Sequence, residues 1–201
     1  MLVTGIKSKP VYAPLRADIG GRYHLMLASG PGAAAVLRVL GEIQSSAPQA
    51  LGNTRVLMVP ETRQAAAPFK LLGLLGLSLF DDTHALLDAF RGVLDESLMG
   101  TRLYVAGPES FIGLAMKIAL EFDLNKDEIR AEEMGSLARR VYCVHCRTAT
   151  EDVRTNIVRC TGCERWLLVR DHYSRRLAAY MGVMADAEAP GELPPIKEVY
   201  L

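Results

Sequence analysis

The chain has 201 residues, 50% of them hydrophobic, with 23 basic and 23 acidic side chains and a formal net charge of zero. Neutrality argues against a general nucleic-acid or membrane-surface binder, which needs a basic excess to engage phosphates. No apolar run reaches the ~20 residues of a membrane span and the start carries no apolar stretch of signal length, so a soluble protein of the reducing cytoplasm is expected.

Residues 1–21 contain Pro10 and Pro14 and no sustained period, and read as an extended surface arm. Residues 23–28 are a short apolar strand, Ser29-Gly30-Pro31-Gly32 is a turn, and residues 33–43 carry helical apolar spacing through Val36, Leu37, Val39, Leu40 and Ile43. A second buried strand is expected over residues 54–59, ended by Pro60, with a loop and a short alanine-rich helix over 61–69. The stretch 71–80 is apolar throughout; periodicity leaves helix and strand open there, and its end, 77–80, is taken as strand. Asp81-Asp82-Thr83 supplies cap residues for a helix over 84–94. A strand over 102–106 runs into Gly107-Pro108-Glu109-Ser110, followed by an amphipathic helix over 111–122 and an edge strand over 129–132. Strands alternating with helices call for an α/β unit over 22–135, a parallel sheet with both faces covered.

Beyond a polar linker lies the strongest chemical signal in the chain. All four cysteines fall in Cys143-Val144-His145-Cys146 and Cys160-Thr161-Gly162-Cys163, with thirteen residues between the pairs. Two Cys-x-x-Cys knuckles brought face to face make a closed tetrahedral site of four thiolates. A pair of disulfides is disfavoured in a chain without an export signal. Zinc and iron both suit four sulfurs. Zinc is expected, with iron as the alternative, because Arg147 and Glu164 follow the knuckles where a rubredoxin-type iron knuckle usually has glycine. A small ribbon-like module is therefore expected over 139–182. Within it, residues 166–169 read as strand and Asp171 as the cap of a helix reaching Tyr180. The tail, 183–201, holds three prolines and several apolar residues, and should be extended and lie against something.

The histidines give weaker signals. His24 reads as a satisfied core residue, His84 as a helix-start residue and His145 as part of a knuckle already supplied with four ligands. His172, in Asp171-His172-Tyr173-Ser174-Arg175-Arg176, is the best functional candidate of the four, with helix capping and a solvated basic face as the plainer explanation. No nucleophile–base pair stands out.

Taken in order, Ser29-Gly30-Pro31-Gly32, Met58-Val59-Pro60-Glu61-Thr62-Arg63, Leu79-Phe80-Asp81-Asp82, Leu103-Tyr104-Val105-Ala106-Gly107-Pro108-Glu109-Ser110-Phe111 and Ile129-Arg130-Ala131-Glu132-Glu133 resemble the nicotinamide half of the ferredoxin reductase family, in its phthalate dioxygenase reductase branch. The resemblance implies a Rossmann-like sheet and a residual nucleotide site at Gly30, Gly32, Arg63, Gly107 and Ser110. Ala34-Ala35 stands where that family has Thr-Pro, and Ala106 stands for its cysteine. Only some twenty residues precede the first strand, so no flavin barrel is expected before it, and hydride transfer is expected to be lost.

The ribbon-like segment, with Tyr142-Cys143-Val144-His145-Cys146, Arg159-Cys160-Thr161-Gly162-Cys163 and Ala179-Tyr180-Met181-Gly182-Val183 behind a reductase-like half, resembles the small A-type subunits of bacterial dimethylamine monooxygenases. That resemblance implies a non-catalytic, structural or regulatory subunit of an NADPH-dependent oxygenase converting dimethylamine and O2 to methylamine and formaldehyde. It implies two partners, a haem-type oxygenase subunit and a flavin/iron–sulfur reductase subunit, which carry the haem, flavin and iron–sulfur groups. A rubredoxin-like electron carrier holding iron is the alternative. A nucleic-acid-binding ribbon rests only on Arg139, Arg140, Arg147, Arg175 and Arg176.

Overall fold

A computed structural model describes residues 8–201. The chain divides into two compact units, Tyr12–Gly135 and Ser136–Leu201, the latter together with the described residues up to Val11.

In the first unit, strands β1 (Tyr23–Ser29), β2 (Thr54–Val59), β3 (Gly76–Leu79), β4 (Thr101–Gly107) and β5 (Ile129–Glu133) pair in parallel in the order β3-β2-β1-β4-β5. Helices α1 (Gly32–Ser46), α2 (Thr83–Asp95) and α3 (Glu109–Glu121) connect them. Strand β1 is apolar on both faces because each face is covered. Met26 and Ala28 pack with Val36, Val39 and Leu40 of α1, whereas Leu25 and Leu27 pack with Leu86 and Phe90 of α2 and with Ile112 and Ala115 of α3. The expected α/β class, a Rossmann-like parallel sheet, is what the chain adopts. Helix α2 starts where its cap residues place it: the Asp82 carboxylate accepts from the Ala85 N–H at 2.8 Å.

The sequence misleads in two places here. The short helix expected over 61–69 is instead a pair of 3-10 turns, Arg63–Ala66 and Pro68–Leu71, because Pro68 has no N–H to continue a helical ladder. The expected surface arm is tied down in its second half. Leu15 is only 1% exposed, and its N–H donates at 2.6 Å to Glu132, which also takes a hydrogen bond from Arg38. Asp18 lies between Arg102 (2.9 Å) and Arg130 (2.8 Å), and its N–H donates to the Tyr104 hydroxyl at 2.9 Å. Burial works against the Asp18 charge, but the Arg102 hydrogen bond and the neighbouring N–H and guanidinium groups outweigh it and hold the carboxyl below its ordinary range.

The second unit holds β6 (Arg139–Cys143), β7 (Ala149–Val153), β8 (Ile157–Arg159), β9 (Trp166–Ser174) and β10 (Ala179–Met184), in the order β7-β6-β10-β9-β8. Strands β6 and β10 run parallel and the other neighbours antiparallel. The helix expected from Asp171 to Tyr180 does not form. Strand β9 runs through Asp171 to Ser174 and turns back into β10, with Tyr180 opposite Tyr173. The period-two burial of Leu167, Val169 and Tyr173 wins over the cap signal. Asp171 serves as a counter-ion instead, 2.7 Å from the buried Arg139 guanidinium, which lies 3.9 Å from the ring centroids of both Tyr180 and Tyr200. Tyr200 thereby holds the tail, and the Asn156 N–H to Lys197 and Val199 N–H to Arg154 bonds fix it alongside residues 154–156 of the same unit. No helix among the described residues is long and apolar enough to cross a membrane.

His24 is buried as expected but only half satisfied. Its Nδ1 lies 3.4 Å from the Tyr104 hydroxyl, and Nε2 has no hydrogen-bond partner among the described residues. Burial, opposed by Asp18 and reinforced by Arg102, pushes its pKa below the ordinary 6.5. The unfolded chain therefore binds this proton more readily. The stability that neutral His24 contributes is present above pH ~6.5 and lost as pH falls below it. Denaturant unfolding at about pH 7.5 and about pH 5.5 should show this loss, and His24→Leu should remove most of the difference. An unchanged difference in the variant would place its origin elsewhere.

Candidate functional site

The two cysteine knuckles are built alike. Strand β6 ends at Cys143 and turns through Val144 and His145 to Cys146; β8 ends at Arg159 and the chain turns from Cys160 to Cys163. The residue after each second cysteine adopts the left-handed conformation, Arg147 at φ 67° and Glu164 at φ 60°. Its N–H then donates at 3.0 Å to the carbonyl of the first cysteine, Arg147 to Cys143 and Glu164 to Cys160. Each first cysteine in turn donates its N–H at 2.9 Å across the knuckle, Cys143 to Thr148 and Cys160 to Arg165. These bonds close both loops and aim each pair of sulfurs to one side.

All four Sγ atoms lie within 4.8 Å of one another. The Cys143–Cys163 and Cys146–Cys160 sulfurs are 3.7 and 3.5 Å apart. A metal–sulfur bond of about 2.3 Å sets the edge of a tetrahedral S4 site at about 3.8 Å, so the donor set fits one such ion. The four thiols are free, with sulfur separations well beyond the about 2.05 Å of a disulfide bond. Their surroundings differ: Cys143 and Cys160 are buried, Cys163 is half-buried and Cys146 is exposed. Burial pushes the Cys143 thiol up to about 11, whereas the Thr148 hydroxyl and N–H bring Cys146 down to about 6. A hydrogen bond from the Arg165 N–H lowers Cys163. A cation at the centre is what would hold all four as thiolates together.

Three further residues, Gly162, Thr148 and Thr150, support the knuckles. A Cβ at Gly162 would come within 2.4 Å of Thr148 Oγ1 and 3.1 Å of Cys146 Sγ, so only glycine lets the second knuckle close on the first. Thr150 is buried on β7 and its hydroxyl accepts from the Thr161 N–H at 3.3 Å, tying the second knuckle to the sheet. The glycine inside Cys160-Thr161-Gly162-Cys163 was the readable signal; Thr148 and Thr150 carried none.

The candidate nucleotide residues converge on one end of the parallel sheet. Gly30 and Gly32 follow β1, Arg63 follows β2, and Gly107 and Ser110 close β4 and open α3. The strand order reverses between β1 and β4, so this is the end where an open sheet of this kind binds ligands. His84 pairs with Asp88 at 3.1 Å, while His145 is exposed in its knuckle and His172 exposed on β9. Of the five arginines that pointed to nucleic acid, Arg139 is taken by Asp171 and Arg140 by Glu151 at 2.7 Å.

Both units match known family models. Residues 4–129 match the N-terminal domain, and residues 140–183 the C-terminal domain, of "Dimethylamine monooxygenase subunit DmmA-like". The chain belongs to this DmmA-like family. A curated relative, the "Heme-dependent oxidative N-demethylase delta subunit" of Ectopseudomonas mendocina (strain ymp), is 36% identical over 118 residues, 54% of this chain and 67% of the relative. Among solved structures, the ferredoxin reductase in carbazole 1,9a-dioxygenase aligns with a TM-score of 0.48 and 15% identity over 60% of this chain, which spans 40% of that protein. The flavohem-like FAD/NAD binding domain of nitric oxide dioxygenase from Vibrio cholerae O1 biovar El Tor aligns with a TM-score of 0.45 and 14% identity, over 63% of this chain and 56% of that one.

The knuckle geometry yields two expectations. Gly162→Ala should cost about 1–3 kcal/mol through overpacking against Thr148 and Cys146, read as a lower melting temperature with easier metal loss to a chelator. Arg147→Gly relieves the left-handed backbone and should raise stability by up to about 1 kcal/mol, with metal content unchanged.

Proposed function

We propose that this protein is a non-catalytic, structural or regulatory subunit of an NADPH-dependent, multisubunit dimethylamine monooxygenase that converts dimethylamine and O2 to methylamine and formaldehyde. One zinc ion per chain is held by Cys143, Cys146, Cys160 and Cys163. The haem-type oxygenase subunit and the flavin/iron–sulfur reductase subunit of the same complex are the partners, and they carry the haem, flavin and iron–sulfur groups. The observation that carries this reading is the match of both units to one family of oxygenase subunits, combined with a donor set that leaves a bound ion no open position. An ion with four thiolates cannot take up O2 or an amine without losing a ligand. Ala106 at the end of β4 supplies no thiol to a nicotinamide, which agrees with a role other than hydride transfer.

A second reading keeps the site and changes the ion. Iron in four thiolates passes single electrons, and Cys146 is the least buried residue of the four.

Two measurements separate these readings. Elemental analysis of the purified chain should give about one zinc per chain and a colourless protein; stoichiometric iron with visible absorption selects the electron carrier. Affinity purification from the native source should bring down a haem-type and a flavin-containing subunit. NADPH- and oxygen-dependent demethylation of dimethylamine should then depend on adding back this chain. A purified chain that oxidises NADPH unaided would overturn the proposal.

A further inference from the structure

A nicotinamide dinucleotide is the group that an open parallel sheet of this order would hold, in the crevice where the strand order reverses between β1 and β4. The residues of that crevice do not fit it. We infer that the chain closes the crevice from within and that its α/β unit takes no dinucleotide.

The first disagreement concerns donors. A pyrophosphate at a helix start is held by free backbone N–H groups. Pro31 and Pro108, which precede α1 and α3, have none. The Gly30 N–H donates to Val59 at 2.9 Å, and those of Ala33 and Ala34 donate back to Gly30 and Pro31 at 3.2 and 3.1 Å. At α3 the Phe111 and Ile112 N–H groups both donate to the Pro108 carbonyl, at 3.0 and 3.1 Å. These five N–H groups are used within the turns, which narrows the donors a phosphate could meet there.

The second disagreement concerns space. A Cβ on Gly32 would lie 2.1 Å from the Ala106 carbonyl oxygen, so the start of α1 rests directly on the end of β4. After β5 the chain crosses the same end of the sheet. The Met134 N–H donates to the Gly107 carbonyl at 2.9 Å, and Gly135 lies against the Pro31 ring, where an added Cβ would be 3.3 Å from Pro31 Cγ. Met134 also packs against the cluster formed by β1 and α1, which fixes this crossing in place.

The third disagreement concerns charge. Glu109, in the first turn of α3, is 3% exposed, and Tyr12 donates its hydroxyl to Oε1 at 3.4 Å. The positive end of α3 thus has an internal carboxyl group beside it, which answers the helix dipole from within the unit. Sequence position hid this pairing, since Tyr12 and Glu109 are 97 residues apart.

Hydrogen–deuterium exchange of the full chain, with and without NADPH, tests the inference at the crevice itself. Exchange at residues 30–34 and 107–112 should be unchanged at about 1 mM NADPH. A dinucleotide bound there with a dissociation constant of about 10 μM would slow it about 100-fold, and such protection would overturn the inference. NADPH fluorescence that titrates while these amides stay unprotected places the nucleotide elsewhere and upholds the closed crevice. The outcome is independent of the subunit assignment, which rests on reconstitution with partners.

Discussion

Four sulfur atoms within 4.8 Å of one another set the terms for the whole second unit. Sulfurs so close cannot all ionise without a cation among them. The unit's buried cluster comprises Val141, Cys143, Val153, Cys160, Leu167, Val169, Tyr173 and Tyr180, so two of its eight members are ligand candidates themselves. A core of that size seldom sustains a fold of a few dozen residues without a staple. Metal binding to such knuckles is worth about 10–16 kcal/mol in isolated zinc-finger peptides, more than enough to offset the strain at Arg147 and Glu164. The sheet, the knuckles and the tail are then one linked system: Cys143 ends β6, whose first residue Arg139 is clamped by Tyr180 of β10 and Tyr200 of the tail.

The first unit is held by a different principle. A parallel sheet must be covered on both faces, and the alternation of Met26 and Ala28 with Leu25 and Leu27 meets that requirement through α1 on one side and α2 and α3 on the other. Residues 12–21 add a polar clasp in which Asp18 joins Arg102 of β4 to Arg130 of β5. The net result is a parallel sheet of the doubly wound kind whose carboxyl end is tied together by its own turns. At that end of the sheet Gly32 rests on Ala106, Gly135 lies against Pro31, and Tyr12 donates to Glu109.

What could be read from the sequence was local. Strands β1, β2 and β4 announced themselves as short apolar runs between glycine or proline turns, α2 through its Asp82 cap, and the cysteine cluster through spacing alone. What could not be read depended on partners distant in sequence. Asp171 looked like a helix cap because nothing near it reveals Arg139, 32 residues away. Leu15 looked exposed because its N–H finds Glu132, 117 residues away. The left-handed positions of Arg147 and Glu164 form an intermediate case, since a rubredoxin-type knuckle usually has glycine there and the backbone shows why.

The contrast between the two units bears on what this chain can contribute to oxidative chemistry. Splitting an N-methyl bond with O2 requires a centre that can bind oxygen and then be reduced, hence an open coordination position and an electron supply. The four-sulfur site offers no such position whichever ion it holds, and zinc there could not be reduced at all. On the inference drawn above, the crevice takes no dinucleotide and so delivers no reducing equivalents. On the proposed reading, therefore, the bond-breaking step and the hydride both belong to other subunits. The most this chain could add to the electron path is a single-electron relay, and only with iron between the knuckles.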